Sequence, residues 1–116
     1  MPLFRRKAPA PKPAEHAVIV HFSINGDEFG EVAEREEIFA LQDRLIAAID
    51  GAGVGEFDGN EFGGGEAVLY MYGPDADALF EVVEPILRAF PARPAWCVLR
   101  YGEAADPTAV EGRIDL

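Results

Sequence analysis

One group of side chains in this sequence combines aromatic rings with groups that carry or exchange protons. Successive side chains of a strand alternate between its two faces, so the apolar strands of this chain place that group on one face. Its members are Ile19, His21, Val68, Tyr70, Tyr72, Trp96, Val98 and Arg100. The rings provide stacking surfaces, and His21 and Arg100 provide polar contacts. The pattern therefore predicts a binding surface on one face of a sheet.

This surface has three interpretations. An uncovered aromatic face in a soluble protein is typically buried by a second copy or by a partner protein, which predicts a homodimer. A small ligand bound on the face is the second interpretation. The third is a small enzyme for an organic substrate that uses His21, Tyr70 or Tyr72, and Arg100, with His21 as general base near Tyr70. We expect a non-catalytic binding or regulatory domain that self-associates through this face, without a cofactor.

Acidic residues surround a glycine-rich turn in the middle of the chain. Glu56, Asp58 and Asn60 alternate and are predicted to share one side of a strand, with Glu61 nearby. Such oxygen ligands suit a hard cation such as calcium. An EF-hand loop starting at Glu56 would need glycine where Glu61 stands and glutamate where Ala67 stands. The motif fails, so we expect no metal, and Glu56, Asp58 and Glu61 are the candidates if one binds.

Charge divides the chain into a basic start and an acidic remainder. The net charge is −11, and four of the ten basic residues, Arg5, Arg6, Lys7 and Lys12, precede all 21 acids. The other six basic residues share the remainder with those acids, so the net charge from residue 13 onward is −15. Such a domain repels phosphate backbones, and we expect no nucleic-acid binding. It suits a basic protein partner, as an acidic inhibitor or immunity-type protein would.

The proline-rich residues 1–14 are predicted to form a disordered basic tail. No apolar segment follows the arginines, so the pattern indicates neither a signal peptide nor a membrane anchor. Cys97 is the single cysteine, which excludes an intrachain disulfide and is typical of a reducing compartment. We therefore expect a cytoplasmic protein that does not associate with membranes.

Hydrophobic periodicity predicts the elements that position these residues. Period-two alternation predicts strands, and apolar residues three or four apart predict helices. The expected strands cover 16–24, 54–59, 66–72 and 95–101, and the expected helices cover 32–50 and the stretch from Asp75 to Phe90. Gly51 is predicted to be a left-handed cap of the first helix, and Asp75 to cap the second. The domain is expected to cover 15–102, followed by an irregular tail over 103–116.

The order β-α-β-β-α-β within about 90 residues resembles the ferredoxin-like superfold. That resemblance implies an α+β fold with a four-stranded antiparallel sheet, both helices on one face, and the first and third strands at its centre. The segment GEFDGNEFGGGEAVLYMYGPDAD also resembles stretches in small uncharacterised bacterial proteins. A superfold hosts many unrelated functions, so the resemblance implies no catalytic residue.

Overall fold

A computed structural model describes residues 15–24 and 32–116 of the chain. The elements are β1 (His16–Ser23), α1 (Val32–Ala52), β2 (Glu56–Gly63), β3 (Glu66–Gly73), α2 (Ala76–Ala89), β4 (Ala95–Arg100) and β5 (Glu111–Asp115). All strands belong to one antiparallel sheet, so the fold is α+β. The predicted basic tail, 1–14, lies outside the described residues.

The strands lie in the order β2-β3-β1-β4-β5. The apolar strands β1 and β3 are hydrogen-bonded to each other and have a partner on each side. The two edges are the more polar β2 and the short β5, which is how natural sheets limit pairing with other chains. Strand hydrophobicity therefore agrees with position in the sheet.

The prediction of four strands was wrong, because residues 103–116 are not wholly irregular. Within them β5 pairs with β4, and Ile114 lies opposite Cys97. The backbone N–H of Leu116 donates to the carbonyl of Ala95 at 2.9 Å. The sequence of β5, EGRID, has one large apolar residue in five, which is too few for an alternating pattern to be visible. The strand forms because a pairing edge of β4 is available and Ile114 packs against the core.

Both helices cover the same face of the sheet and enclose the core there. Each helix contributes one apolar stripe with helical spacing, and each inner strand contributes alternate residues. The fully buried large side chains are Val18, Val20, Phe22, Ile38, Leu41, Leu45, Ile49, Leu69, Met71, Leu79, Val83 and Leu87. Burying one such side chain contributes about 1.5–3 kcal/mol. The helices leave the second face of the sheet without a covering layer.

The two helix ends differ in how well the sequence predicted them. Asp75 caps α2 as expected, because its Oδ1 accepts from the backbone N–H of Asp77 at 3.0 Å and of Ala78 at 3.2 Å. The cap predicted at Gly51 was wrong, since α1 continues to Ala52. The left-handed residue is Gly53, with φ of +66°. Helical bonding continues past Gly51, because the backbone N–H of Gly53 still donates to the carbonyl of Ile49 at 2.9 Å.

Candidate functional site

The sheet face without helices carries the residues predicted to form a binding surface. Because opposed residues of a strand pair share a face, the pairing defines three rows. The rows are Val68–His21–Trp96, Tyr70–Ile19–Val98 and Tyr72–Ala17–Arg100. We call these nine residues the open face. Val68 and Ala17 are buried and the other seven are half-buried, so the residues shield one another although neither helix covers them.

A stack of three side chains crosses the open face. The rings of His21 and Trp96 are nearly parallel, with centroids 4.8 Å apart. From β5, the guanidinium carbon of Arg113 lies 4.7 Å from the Trp96 ring centroid, a cation–π contact. The strands β1 and β5 flank β4, so the indole lies between imidazole and guanidinium. The Nδ1 atom of His21 also lies 3.3 Å from an Oε1 atom of Glu66.

Tyr70 and His21, which were expected to act together as acid and base, each contact a different carboxylate. The Tyr70 hydroxyl donates to Glu61 at 2.7 Å. That hydrogen bond, together with partial burial and the nearby negative charge, raises the pKa of Tyr70 to about 12. His21 lies opposite Val68 rather than Tyr70 and contacts Glu66. The two groups therefore do not form a proton-transfer pair.

Arg100 holds the segment that follows β4. Its Nε and Nη2 atoms donate to the carbonyl of Glu103 at 3.1 and 2.8 Å, and Nη2 also donates to the carbonyl of Asp106 at 2.5 Å. Its Nη1 atom donates to the Glu111 carboxylate at 2.8 Å. The side chain is only 17% exposed. The guanidinium, which the sequence predicted to contact a ligand, holds the segment between β4 and β5 against the sheet.

Other contacts order the same segment. A Cβ atom at Gly102 would lie 2.7 Å from the Cβ of Ala109, so the backbone packs there in a way that only glycine permits. Asp106 Oδ1 accepts from the backbone N–H of Thr108 at 2.9 Å and from its hydroxyl at 2.7 Å. These hydrogen bonds hold the pKa of Asp106 below its usual value. The segment therefore has a defined shape against the open face.

A concave pocket lies where this segment meets the open face. We call it the open-face pocket; its volume is about 370 Å³. The lining residues are Glu15, Ala17, Ile19, Tyr72, Arg100, Gly102, Glu103, Ala104 and Ala105. Partial burial, followed by the nearby carboxylates of Asp58 and Glu15, raises the pKa of Tyr72. The described lining thus combines apolar residues, one tyrosine, one arginine and two acidic residues.

The acidic hairpin does not form a comparable site. A bulge between Phe57 and Gly59 shifts the register of β2, so the prediction that Glu56, Asp58 and Asn60 share one side was wrong. Asn60 lies on the helix side, where its amide donates to Gln42 at 2.5 Å. Glu56 lies opposite Tyr72, and Glu61 bonds to Tyr70. Over residues 15–24 and 32–116, no group of three or more His, Cys, Asp or Glu side chains is placed to hold a metal ion.

The sequence had no signal for several members of the pocket. Glu103 and the two alanines after it come next to Arg100 and Tyr72 only because β5 draws the intervening segment back along β4. Glu15 reaches the pocket by a different route, because it lies two residues before Ala17 at the start of β1. Arg113 likewise reaches Trp96 through β5. A reading that left 103–116 irregular had no means of placing these residues.

Three comparisons with known proteins gave the same result. No protein-family model matches the chain, and neither do any of the curated proteins or solved structures searched. In the part of the chain that the structure describes, neither helix has the length and apolar character needed to cross a membrane.

Proposed function

We propose that this chain is a non-catalytic binding domain and that the open-face pocket is its ligand site. One observation carries the proposal: Arg100 uses its side-chain donors on the 103–106 carbonyls and on Glu111, which builds a pocket wall before any ligand arrives. Ligand sites are typically preformed concave spaces of about 300–1,000 Å³ with apolar walls and few polar groups. The open-face pocket, of about 370 Å³, has these properties.

The side chains of the open face favour binding over catalysis. A general base needs a reacting proton within hydrogen-bond reach and a pKa near the working pH. His21 contacts Glu66 outside the pocket lining, and Tyr70 is bonded to Glu61. Tyr72 lines the pocket, but partial burial raises its pKa above the ordinary phenol value and so moves it further from the working pH. The alternative of a small enzyme for an organic substrate is thus less well supported.

The proposal includes membership of the ferredoxin-like superfold, with a fifth strand added at one edge. Two features support it. The first four strands lie in the order β2-β3-β1-β4, with the first and third strands adjacent at the middle of the four. Both helices pack on one face, which leaves the other face available for a ligand.

Self-association through the open face is the second candidate, and it would use part of the same surface. It is favoured by the half-exposed row of Ile19, Val98 and Tyr70 and by the half-exposed ring of Trp96. Molar mass measured by light scattering over a range of concentrations distinguishes a homodimer from a monomer. The proposal also includes a basic protein partner, which the −15 charge from residue 13 onward supports. It includes a cytoplasmic location as well, which the single cysteine supports.

A fragment screen by amide-resolved NMR tests the proposal. Soluble aromatic and aliphatic fragments are expected to shift the amide signals of Ala17, Ile19 and residues 102–105. The variant Arg100→Lys keeps the charge but cannot bond several carbonyls at once, so it should bind the same fragments at least about tenfold more weakly. Arg88→Lys is the matched control, because Arg88 pairs with Glu84 on an exposed helix face.

Two results would overturn the proposal. One is a screen in which no fragment moves the signals of the pocket residues. The other is wild-type fragment affinity in Arg100→Lys, with amide signals of 102–106 showing that the segment has come away from the sheet. Circular dichroism of both variants establishes that each is folded before the titrations are compared.

A further inference from the structure

We infer that the open-face pocket selects small organic cations, such as an ammonium group carried on an apolar or aromatic body. The inference rests on the proposed function, because it names the ligand class of the same pocket. Three properties carry it: the charge of the lining residues, the position of the Tyr72 ring, and the small residues that form the remaining wall.

The charges of the lining residues leave an excess of negative charge. Within residues 15–24 and 32–116, Glu15 and Glu103 both line the pocket, and Arg100 is the one basic residue of that lining. The positive charge of Arg100 is already paired with Glu111, at 2.8 Å. Among the described lining residues, a ligand entering the pocket therefore lies beside two acidic residues whose one neighbouring cation is already paired, and a positive ligand is the one that they attract.

Tyr72 adds a second contact suited to a cation. It lies opposite Ala17 on β1 and opposite Glu56 on β2. Because Ala17 is small, the space beside the phenol is left to the pocket, which both residues line. A cation above an aromatic ring is attracted by the ring's quadrupole. The raised pKa of Tyr72, caused by partial burial and by Asp58 and Glu15, is a further sign of negative potential at this position.

The rest of the lining suits an apolar ligand body. Ile19, Ala104 and Ala105 form small apolar walls around a volume of about 370 Å³. An anionic ligand is disfavoured by the same geometry. To bind it, Arg100 would have to release the carbonyls of Glu103 and Asp106 and the Glu111 carboxylate. The chemistry of the pocket is therefore that of an amine or quaternary ammonium compound.

Three probes of similar size and different charge test the inference: phenethylammonium, 2-phenylethanol and 3-phenylpropionate. Each is titrated into the full chain while the amide signals of Ala17, Ile19 and Ala104 are followed by NMR. Phenethylammonium should bind about tenfold more tightly than 2-phenylethanol, from one cation–π contact and two exposed carboxylates. The anion 3-phenylpropionate should bind most weakly. Raising the salt concentration should weaken the binding of phenethylammonium and should not weaken the binding of the other two probes.

Variants test whether Glu15 and Glu103 cause the preference for phenethylammonium over 2-phenylethanol. The double variant Glu15→Gln with Glu103→Gln should bring phenethylammonium close to the affinity of 2-phenylethanol. Glu81→Gln, an exposed charge on α2 on the far side of the sheet, should leave the tenfold preference unchanged. The alcohol is expected to bind all three proteins alike, which shows that the pocket is intact in each.

The outcomes separate the ligand class from the proposed function. Equal binding of the alcohol and the cation at the pocket signals, or tighter binding of the anion, would overturn the inference and leave the binding site standing. A cation preference that survives in the double variant would also overturn it. Failure of all three probes, together with a fragment screen that finds nothing at the pocket, would remove both the inference and the proposed function.

Discussion

His21 and Trp96 lie face to face on neighbouring strands, with ring centroids 4.8 Å apart and planes 5° from parallel. Arg113 approaches the same indole from β5. The indole of Trp96 therefore connects the central strand β1 to the edge strand β5.

Replacing His21 by Ala removes this stack, and we expect the free energy of unfolding to fall by about 1 kcal/mol. Trp96 is the sole tryptophan of the chain, so its fluorescence reports on the ring directly. Its emission should shift in His21→Ala and stay close to that of the wild type in His21→Phe, which keeps a flat ring. Unchanged emission in His21→Ala would contradict the stack.

The hydrogen bond from Tyr70 to Glu61 should be visible in the titration of the phenol. The pKa of Tyr70 is raised to about 12, mainly by this bond. Glu61→Gln keeps an acceptor without the charge, so the pKa should move towards 10. At pH of about 11, NMR of the ring should show roughly 10% ionisation in the wild type and a clear majority in the variant. Glu56→Gln makes an equal charge change on the same strand and should leave the pKa of Tyr70 nearly unchanged.

The thiol of Cys97 should make stability depend on pH in the alkaline range. Burial, the largest cause, raises its pKa from 9.0 to about 11. The folded state then keeps a proton that the unfolded chain releases above pH 9, so stability is complete below pH 9 and falls as the pH rises towards 11. Urea unfolding at several pH values measures this slope. Cys97→Ala removes the thiol but keeps the tyrosines, and a slope equal to that of the wild type would contradict the prediction.

Two apolar residues near the C-terminal end should differ in their effect on stability. Ile114 packs against the core, whereas Val110 is 68% exposed. Ile114→Ala should lower the free energy of unfolding by about 1–2 kcal/mol, less than a fully buried truncation would. Val110→Ala should change it by less than about 0.5 kcal/mol. Denaturant unfolding compares them, and equal effects would mean that β5 does not contribute to the core.

His16 should act as a second cap of α2. Its Nδ1 atom accepts from the backbone N–H of Ala76 at 3.0 Å, beside the cap that Asp75 provides. His16→Ala leaves that N–H without its acceptor and should cost about 1 kcal/mol. His16→Asn offers a side-chain oxygen at a similar reach and should recover most of the loss in thermal unfolding. A loss as large in His16→Asn as in His16→Ala would argue against the cap.

The local pattern predicted the elements because their causes are local. Alternation in HAVIVHFS and EAVLYMYG indicated β1 and β3, and Asp75 is a cap whose acceptor lies within three residues of its donors. Errors came where a distant partner decided the outcome. The bulge after Phe57 moved Asn60 to the helix side, and pairing with β4 made a strand of residues with little alternation of their own.

The sequence by itself determined which side chains share the open face, since period two leaves a strand only two faces and the core claims one. It also determined the acidic character, which is a property of composition. Tertiary structure decided what those side chains contact. Arg100 holds the segment between β4 and β5 by hydrogen bonds, because β5 returns along β4 and brings Glu111 and the 103–106 carbonyls within reach of its guanidinium. Such a contact depends on a pairing between strands, and no local pattern contains it.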